Sequence, residues 1–283
     1  MRAPRSVCCL LLLLAVMAGE AAAGRWPPGT SVGRDLAYGD DPAQRLDVYW
    51  LPDGVRQKPI VVMVHGGGWM GGDKNGPRFV DNKVSRWLPR GYVFVSINYR
   101  LLPKLDGLLQ ANDVARALAY VQEHAGEWNG DPARVILMGH SSGAHLVALL
   151  SAAPARAYAL GARRWLASVA LDSAAFDVVK LMQKRHIRMY DYAFGDDPER
   201  WRRASPLHVL VADAVPLLAV CSTQRPDNPC DQARSYAKRA DELGVAVETL
   251  PQDLSHAEIY RYLGLPGPYT ARVERFMASP TSR

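Results

Sequence analysis

The sequence predicts an α/β fold, a mainly parallel central sheet covered by helices on both faces, and three observations predict it. Short, wholly apolar runs recur along the chain, as at Ile60, Val61, Val62, Met63 and Val64. Strands buried on both faces read this way, whereas half-exposed strands alternate. Segments of helical spacing separate these runs by about ten to fifteen residues, the rhythm of strand–helix–strand units. Finally, 283 residues with 48% hydrophobic and 22% charged content suffice for a sizeable core, which sets aside disordered and fibrous classes.

The elements follow in order. Residues 44–51 alternate, with Leu46, Val48 and Trp50 apolar, and predict a half-exposed strand paired with the stretch around 36–38. Buried strands are expected at 60–64, 92–97 and 135–138, and further strands at 166–171, 215–220 and 245–250. Helices are expected at 113–124 (Val114, Leu118 and Val121 share one face), 144–151, 232–243 and 269–277. With no internal repeat and no Pro/Gly/Ser-rich linker, residues 24–283 read as a single domain. Residues 174–205 lie between two core strands and exceed a usual crossover loop of about 2–6 residues beside its helix, so they are a candidate lid.

Arg2 and Arg5, an apolar run from 7 to 17, and Ala21, Ala22 and Ala23 form the three parts of a secretory signal peptide, residues 1–23. The run falls short of the roughly 20 residues that cross a bilayer, so a secreted or periplasmic protein with no stable membrane anchor after signal removal is expected. Cys8 and Cys9 would leave with the leader. Cys221 and Cys230 remain, flanking a short loop in a chain bound for an oxidising compartment, and a disulfide between them is expected. No second pair of close ligands accompanies them, which argues against zinc. Net charge is +6, or +5 without Arg2, Arg5 and Glu20. The basic residues gathered in 184–203 carry no nucleic-acid-binding motif and read as a solvated face; no nucleic-acid partner is expected.

Gly139-His140-Ser141-Ser142-Gly143 fits G-x-S-x-G, between the apolar strand ending at Met138 and a helix opening at Ala144. A serine on so sharp a turn projects its oxygen above the sheet, and side chains at 139 and 143 would collide with neighbouring backbone. Ser141 is therefore the candidate nucleophile. His65-Gly66-Gly67-Gly68-Trp69 ends an earlier buried strand. Acyl transfer builds negative charge on a carbonyl oxygen, and unobstructed backbone N–H groups stabilise it; Gly67, Gly68 and Ser142 are the candidate donors. Gly66, Gly68 and Gly71 also satisfy G-x-G-x-x-G. A dinucleotide site, however, wants a helix near the third glycine and an acidic residue closing the next strand, where this chain has Asn98-Tyr99-Arg100. Of seven histidines only His256 follows the last expected strand, on an expected loop, and elimination makes it the candidate base. The acid should lie after strand 215–220, where Asp227 is the only acidic residue between the two cysteines. Asp172, ending the preceding strand, is the alternative. Asp231 reads as a helix cap.

On these motifs, together with Leu46-Asp47-Val48-Tyr49, Gly130-Asp131-Pro132 and Ser255-His256-Ala257-Glu258, the chain resembles the α/β-hydrolase carboxylesterases of the HGGG, hormone-sensitive-lipase-like type, or the compact esterases and formamidases beside them. The resemblance spans nearly the whole chain after the leader. It implies an α/β-hydrolase fold and hydrolysis of small-molecule esters through an acyl-enzyme, with no metal and no cofactor. Where such relatives read G-x-x-D at the acid loop, this chain has Ser222 and Arg225, so the acid would have moved along to Asp227, braced by the disulfide. Trp69, Tyr190, Tyr192 and Phe194 are the candidate apolar substrate contacts, and a small lid predicts preference for short or aromatic acyl groups. An amidase or formamidase on the same residues, and a catalytically silent binding protein, are the rival readings; oligomeric state is not encoded.

Overall fold

The apolar runs are continuous because both faces of the sheet are covered, and side chains alternate between the two covers. The computed structural model describes residues 26–104 and 106–279, with backbone alone at 77–79; the expected leader lies outside them. Eight strands, β1 (Ser31–Ala37), β2 (Arg45–Trp50), β3 (Lys58–Val64), β4 (Val93–Ile97), β5 (Gly130–His140), β6 (Ala167–Leu171), β7 (Leu217–Ser222) and β8 (Val247–Gln252), form one sheet in the order β1-β2-β4-β3-β5-β6-β7-β8. Strand β2 runs antiparallel to both neighbours, and every other pair is parallel. Each of the eight expected stretches carries a strand, with ends displaced by a few residues.

The helices are α1 (Pro77–Trp87), α2 (Gly107–His124), α3 (Ser142–Ala152), α4 (Ala155–Tyr158), α5 (Val178–Met182), α6 (Arg188–Phe194), α7 (Pro198–Arg203), α8 (Pro206–Val209), α9 (Pro229–Glu242), α10 (His256–Tyr262) and α11 (Pro268–Ala278). On one face Ile60, Val62, Val64, Val135 and Leu137 pack with Val114, Leu118 and Val121 of α2 and Leu146 and Leu150 of α3. On the other, Val61, Met63, Ile136 and Met138 pack with Val84 and Trp87 of α1 and Val273 and Phe276 of α11. Helix α1 was not expected. Its Gly76-Pro77 start is a turn signal that also suits a first helical turn, where proline's missing N–H costs nothing. It opens six residues beyond Gly71, which leaves the dinucleotide reading without its helix.

Parallel pairing aligns the carboxyl ends of the strands. The registers Val64↔Gly139, His140↔Leu171, Leu171↔Val220 and Val220↔Leu250 bring the residues after β3, β5, β6, β7 and β8 to one edge, the usual place for a site in an open α/β sheet. The expected lid, 174–205, falls within the segment joining β6 to β7, which carries α5 to α8.

Candidate active site

Ser141 sits between β5 and α3 with φ 56° and ψ −117°, a strained conformation for a residue bearing a side chain. The turn leaves no room on either side. A Cβ on Gly139 would lie 2.4 Å from the Gly143 carbonyl oxygen, and one on Gly143 would lie 2.5 Å from the carbonyl oxygens of Val64 and His65. The Ser141 N–H donates to the Leu171 carbonyl (2.9 Å), which ties the turn to β6.

His256 is the first residue of α10 rather than part of a loop, a correction to the sequence reading. Ser255 caps the helix and Glu258 answers it, its carboxylate accepting from the Ser255 N–H at 2.8 Å and the hydroxyl at 2.6 Å. The Ser-x-x-Glu signature of such a box was present in the sequence. The imidazole Nε2 lies 3.0 Å from Ser141 Oγ, and Nδ1 lies 2.6 Å from Asp172 Oδ2. With the serine hydroxyl donating to Nε2, Nδ1 carries the proton and donates to Asp172.

The imidazole therefore meets Asp172, not Asp227. Asp172 is completely buried and has φ 61° just past β6. Its Oδ1 accepts the Ser222 N–H at 2.8 Å, and its Oδ2 is shared by His256 and Arg225 Nη1, the latter at 3.0 Å. Burial would raise this carboxyl, but His256, Arg225 and the Ser222 N–H hold it below the ordinary aspartate value. Asp227 is half exposed and engaged elsewhere: both its oxygens take the Arg225 guanidinium, through Nε at 2.9 Å and through Nη2. The length of Arg225 lets it bridge the two carboxylates. The expected disulfide is formed, with Cys221 at the end of β7 and Cys230 in the first turn of α9, and it closes the loop carrying Arg225 and Asp227.

The glycine loop after β3 is held from below. Tyr99 donates its hydroxyl to the His65 carbonyl (3.0 Å) and stacks on the His65 ring, while Asn98 accepts the Lys74 N–H (2.6 Å) and donates to Asp73 (3.0 Å). Asn98 and Tyr99 thus brace this loop, while Arg100 pairs with Asp113 of α2. Gly67 and Gly68 have φ of 130° and 62°, and a Cβ on Gly68 would meet Met189 Sδ of α6 at 2.5 Å. Ser142 is the first residue of α3, where a backbone N–H has no intrahelical acceptor.

Three of the four expected substrate contacts are packing residues instead. Trp69, Tyr190 and Phe194 are 3%, 8% and 1% exposed, and the Trp69 ring lies 5.9 Å from Tyr190 and 5.0 Å from Phe194. They pin the β6–β7 segment to the glycine loop and leave little surface for a ligand. Tyr192 is 56% exposed and lines, with Met70, Leu102 and Leu109, a cleft of about 580 Å³ beside that loop. His145, one helical turn after Ser141, completes the tether: Trp69 Nε1 donates to its Nδ1 (3.3 Å), and its Nε2 donates to the Ala204 carbonyl (2.7 Å). Burial pushes its imidazole down to about 4, so it stays neutral. His140 Nε2 donates to the His256 carbonyl (3.0 Å), its ring 4.5 Å from that of His256, and burial pushes it down to about 3. Met189, His140 and His145 carried no signal beyond their nearness to the glycine-serine motif; Arg225 was visible only as a departure from the family pattern.

Sheet order, serine turn and glycine loop together define an α/β-hydrolase. Residues 46–239 match the BD-FAE family, and the chain belongs to it. It is 28% identical over 241 residues to the esterase LipQ of Mycobacterium tuberculosis, covering 80% of this chain and 55% of the relative. Similarity to a probable isoprenylcysteine alpha-carbonyl methylesterase of Arabidopsis thaliana is 26% over 249 residues, covering 81% and 52%. The chain thus spans about half the length of these curated relatives. Among solved structures, a truncated carbohydrate esterase from gut microbiota superposes with a TM-score of 0.75 at 16% identity, covering 93% of this chain and 99% of that one. Esterase B from Lactobacillus rhamnosis gives 0.69 at 21%, covering 90% and 85%. At such identities the likeness is one of fold.

Proposed function

We propose that this protein is a serine carboxylesterase that hydrolyses small or aromatic carboxylic esters through an acyl-enzyme. The observation that carries the reading is the chain of contacts from Ser141 Oγ through His256 (3.0 Å) to Asp172 (2.6 Å); relatives named as esterases support it. In this reading His256 Nε2 takes the serine proton as Oγ attacks the ester carbonyl, and Asp172 stabilises the imidazolium that forms. The oxyanion is received by the N–H groups of Gly67, Gly68 and Ser142. His256 then protonates the departing alcohol, and water, activated by the same imidazole, releases the acid. The β6–β7 segment serves as the lid, with Met189 over the oxyanion donors, and its small bulk favours short acyl groups. Export to an oxidising compartment goes with this proposal, and the Cys221–Cys230 disulfide supports it.

The test is a series of nitrophenyl esters of increasing acyl length, run beside an anilide, on the wild type and Ser141→Ala. Wild-type turnover highest on short esters, lost in Ser141→Ala, and stoichiometric phosphonate labelling of Ser141 are expected. Retained turnover in Ser141→Ala would overturn the nucleophile assignment, and faster cleavage of the anilide would make the protein an amidase.

A further inference from the structure

An arginine beside the imidazole of a serine-histidine-aspartate arrangement is electrostatically costly, and the structure pairs it with a second aspartate. We propose that Arg225, with Asp227 as its counter-ion, is a positioning residue that holds the Asp172 carboxylate on His256 and sets the pH range over which Ser141 is activated; this rests on the esterase reading above.

Arg225 Nη1 donates to both the carbonyl (3.0 Å) and Oδ2 (3.0 Å) of Asp172, and lies 3.1 Å from His256 Nδ1. Because Nδ1–H and Nη1–H both point at Oδ2, the carboxylate cannot swing away from the imidazole without leaving the guanidinium. The same closeness sets a cation against the imidazolium that forms during turnover. Asp227 offsets that charge. Its two-pronged pair with Nε and Nη2 lies on the far side of the guanidinium, on the loop closed by Cys221–Cys230. Burial alone would lower the affinity of Arg225 for its proton, but Asp227 and Asp172 raise it, so the group stays cationic. The loop is also braced against the segment before His256: Ser222 Oγ donates to the Leu254 carbonyl at 2.6 Å and Gln224 to Asp253 at 3.1 Å. Other charged or titratable groups near His256 are His140, at 4.5 Å between rings, Tyr260 against His140 at 4.6 Å, and Lys83 5.9 Å from the Tyr260 ring. Tyr190 lies beside Arg225. None of these residues is itself replaced in the variants below, and Tyr190 alone among them touches a replaced group.

Two single variants therefore move the acid limb of the kcat/KM–pH profile in opposite directions. Arg225→Gln removes the cation and leaves Asp227, so the limb moves to higher pH by about 1 unit. Asp227→Asn leaves the cation uncompensated, so the limb moves to lower pH and kcat falls by about 3–10-fold rather than by orders of magnitude. In the double variant both charges are gone, so the limb returns toward its wild-type place. Arg225→Lys keeps the charge and holds the limb near its wild-type place while losing kcat, which separates charge from scaffold. Ser141→Ala is run in parallel: its activity decides the esterase reading independently. With Ser141→Ala inactive, limbs that stay put or move the same way in Arg225→Gln and Asp227→Asn overturn the inference. So does a loss of about 10³-fold or more in Asp227→Asn with an unmoved limb, which would make Asp227 the orienting acid. If Arg225→Gln does not fold, as read by near-ultraviolet circular dichroism, the direction of the Asp227→Asn limb alone decides.

Discussion

Asp172→Asn is nearly isosteric and changes the imidazole's partner from an acceptor to a donor. The asparagine carbonyl can still accept the Ser222 N–H that Oδ1 holds at 2.8 Å. Its amide then faces Nδ1, and Arg225 Nη1, already 3.1 Å from Nδ1, becomes a second donor to that nitrogen. Both favour the tautomer with the proton on Nε2, which points at Ser141 Oγ and cannot accept from it. The same change in a serine protease lowers kcat by about 10⁴, and a fall of about 10³–10⁴ is expected here, about 4–5.5 kcal/mol of barrier. Losing the charge opposite Arg225 should cost about 1–3 kcal/mol of stability. The sign with pH follows from the depressed Asp172 carboxyl. Its contribution is present above the ordinary aspartate value of about 3.9 and is lost as pH falls through the lower folded value, so the stability gap between wild type and variant closes in acid. Hydrolysis of a nitrophenyl ester across pH, with thermal unfolding alongside, measures both. Should Asp172→Asn stay within about tenfold of wild type while Asp227→Asn collapses, the tautomer reasoning is wrong and Asp227 orients the imidazole.

Two buried histidines should make the fold acid-sensitive. Burial holds His145 at about 4 and His140 at about 3, so the unfolded chain binds protons first. Stability is complete above the ordinary histidine value of about 6.5 and falls toward pH 4, with His145 alone contributing about 3 kcal/mol; equal urea midpoints at pH 7 and pH 5 would contradict this. Gly68→Ala should lower kcat by about 10²-fold, because φ of 62° and Met189 Sδ at 2.5 Å force the oxyanion donor to shift; steady-state kinetics on a short ester reads it. Replacing Cys221 and Cys230 together by serine should lower stability by about 2–3 kcal/mol through loop entropy, with a smaller kcat loss than Asp172→Asn; denaturant titration and kinetics check the two halves.

What the sequence by itself determined was everything carried by local sterics and periodicity. Wholly apolar runs mark strands covered on both faces, and alternation marks the strand beside the sheet's edge; all eight expected stretches carry a strand. Gly139 and Gly143 around Ser141 are demanded by backbone oxygens within 2.5 Å, a constraint any reader of the pentapeptide can anticipate. The place of His256 after the last strand came from chain order alone. Only the tertiary structure decided between Asp172 and Asp227. The Leu171↔Val220 register sets the ends of β6 and β7 side by side, so either loop could present a carboxylate to the imidazole, and one-dimensional order does not rank them. The decision rests on Arg225, which reaches across and takes Asp227 as its own partner while directing Asp172 to His256. The aromatic residues of the β6–β7 segment were likewise beyond sequence reasoning. Hydrophobicity shows that Trp69, Tyr190 and Phe194 avoid water, but whether a ligand or one another provides the cover depends on how that segment packs on the glycine loop, and here they cover one another.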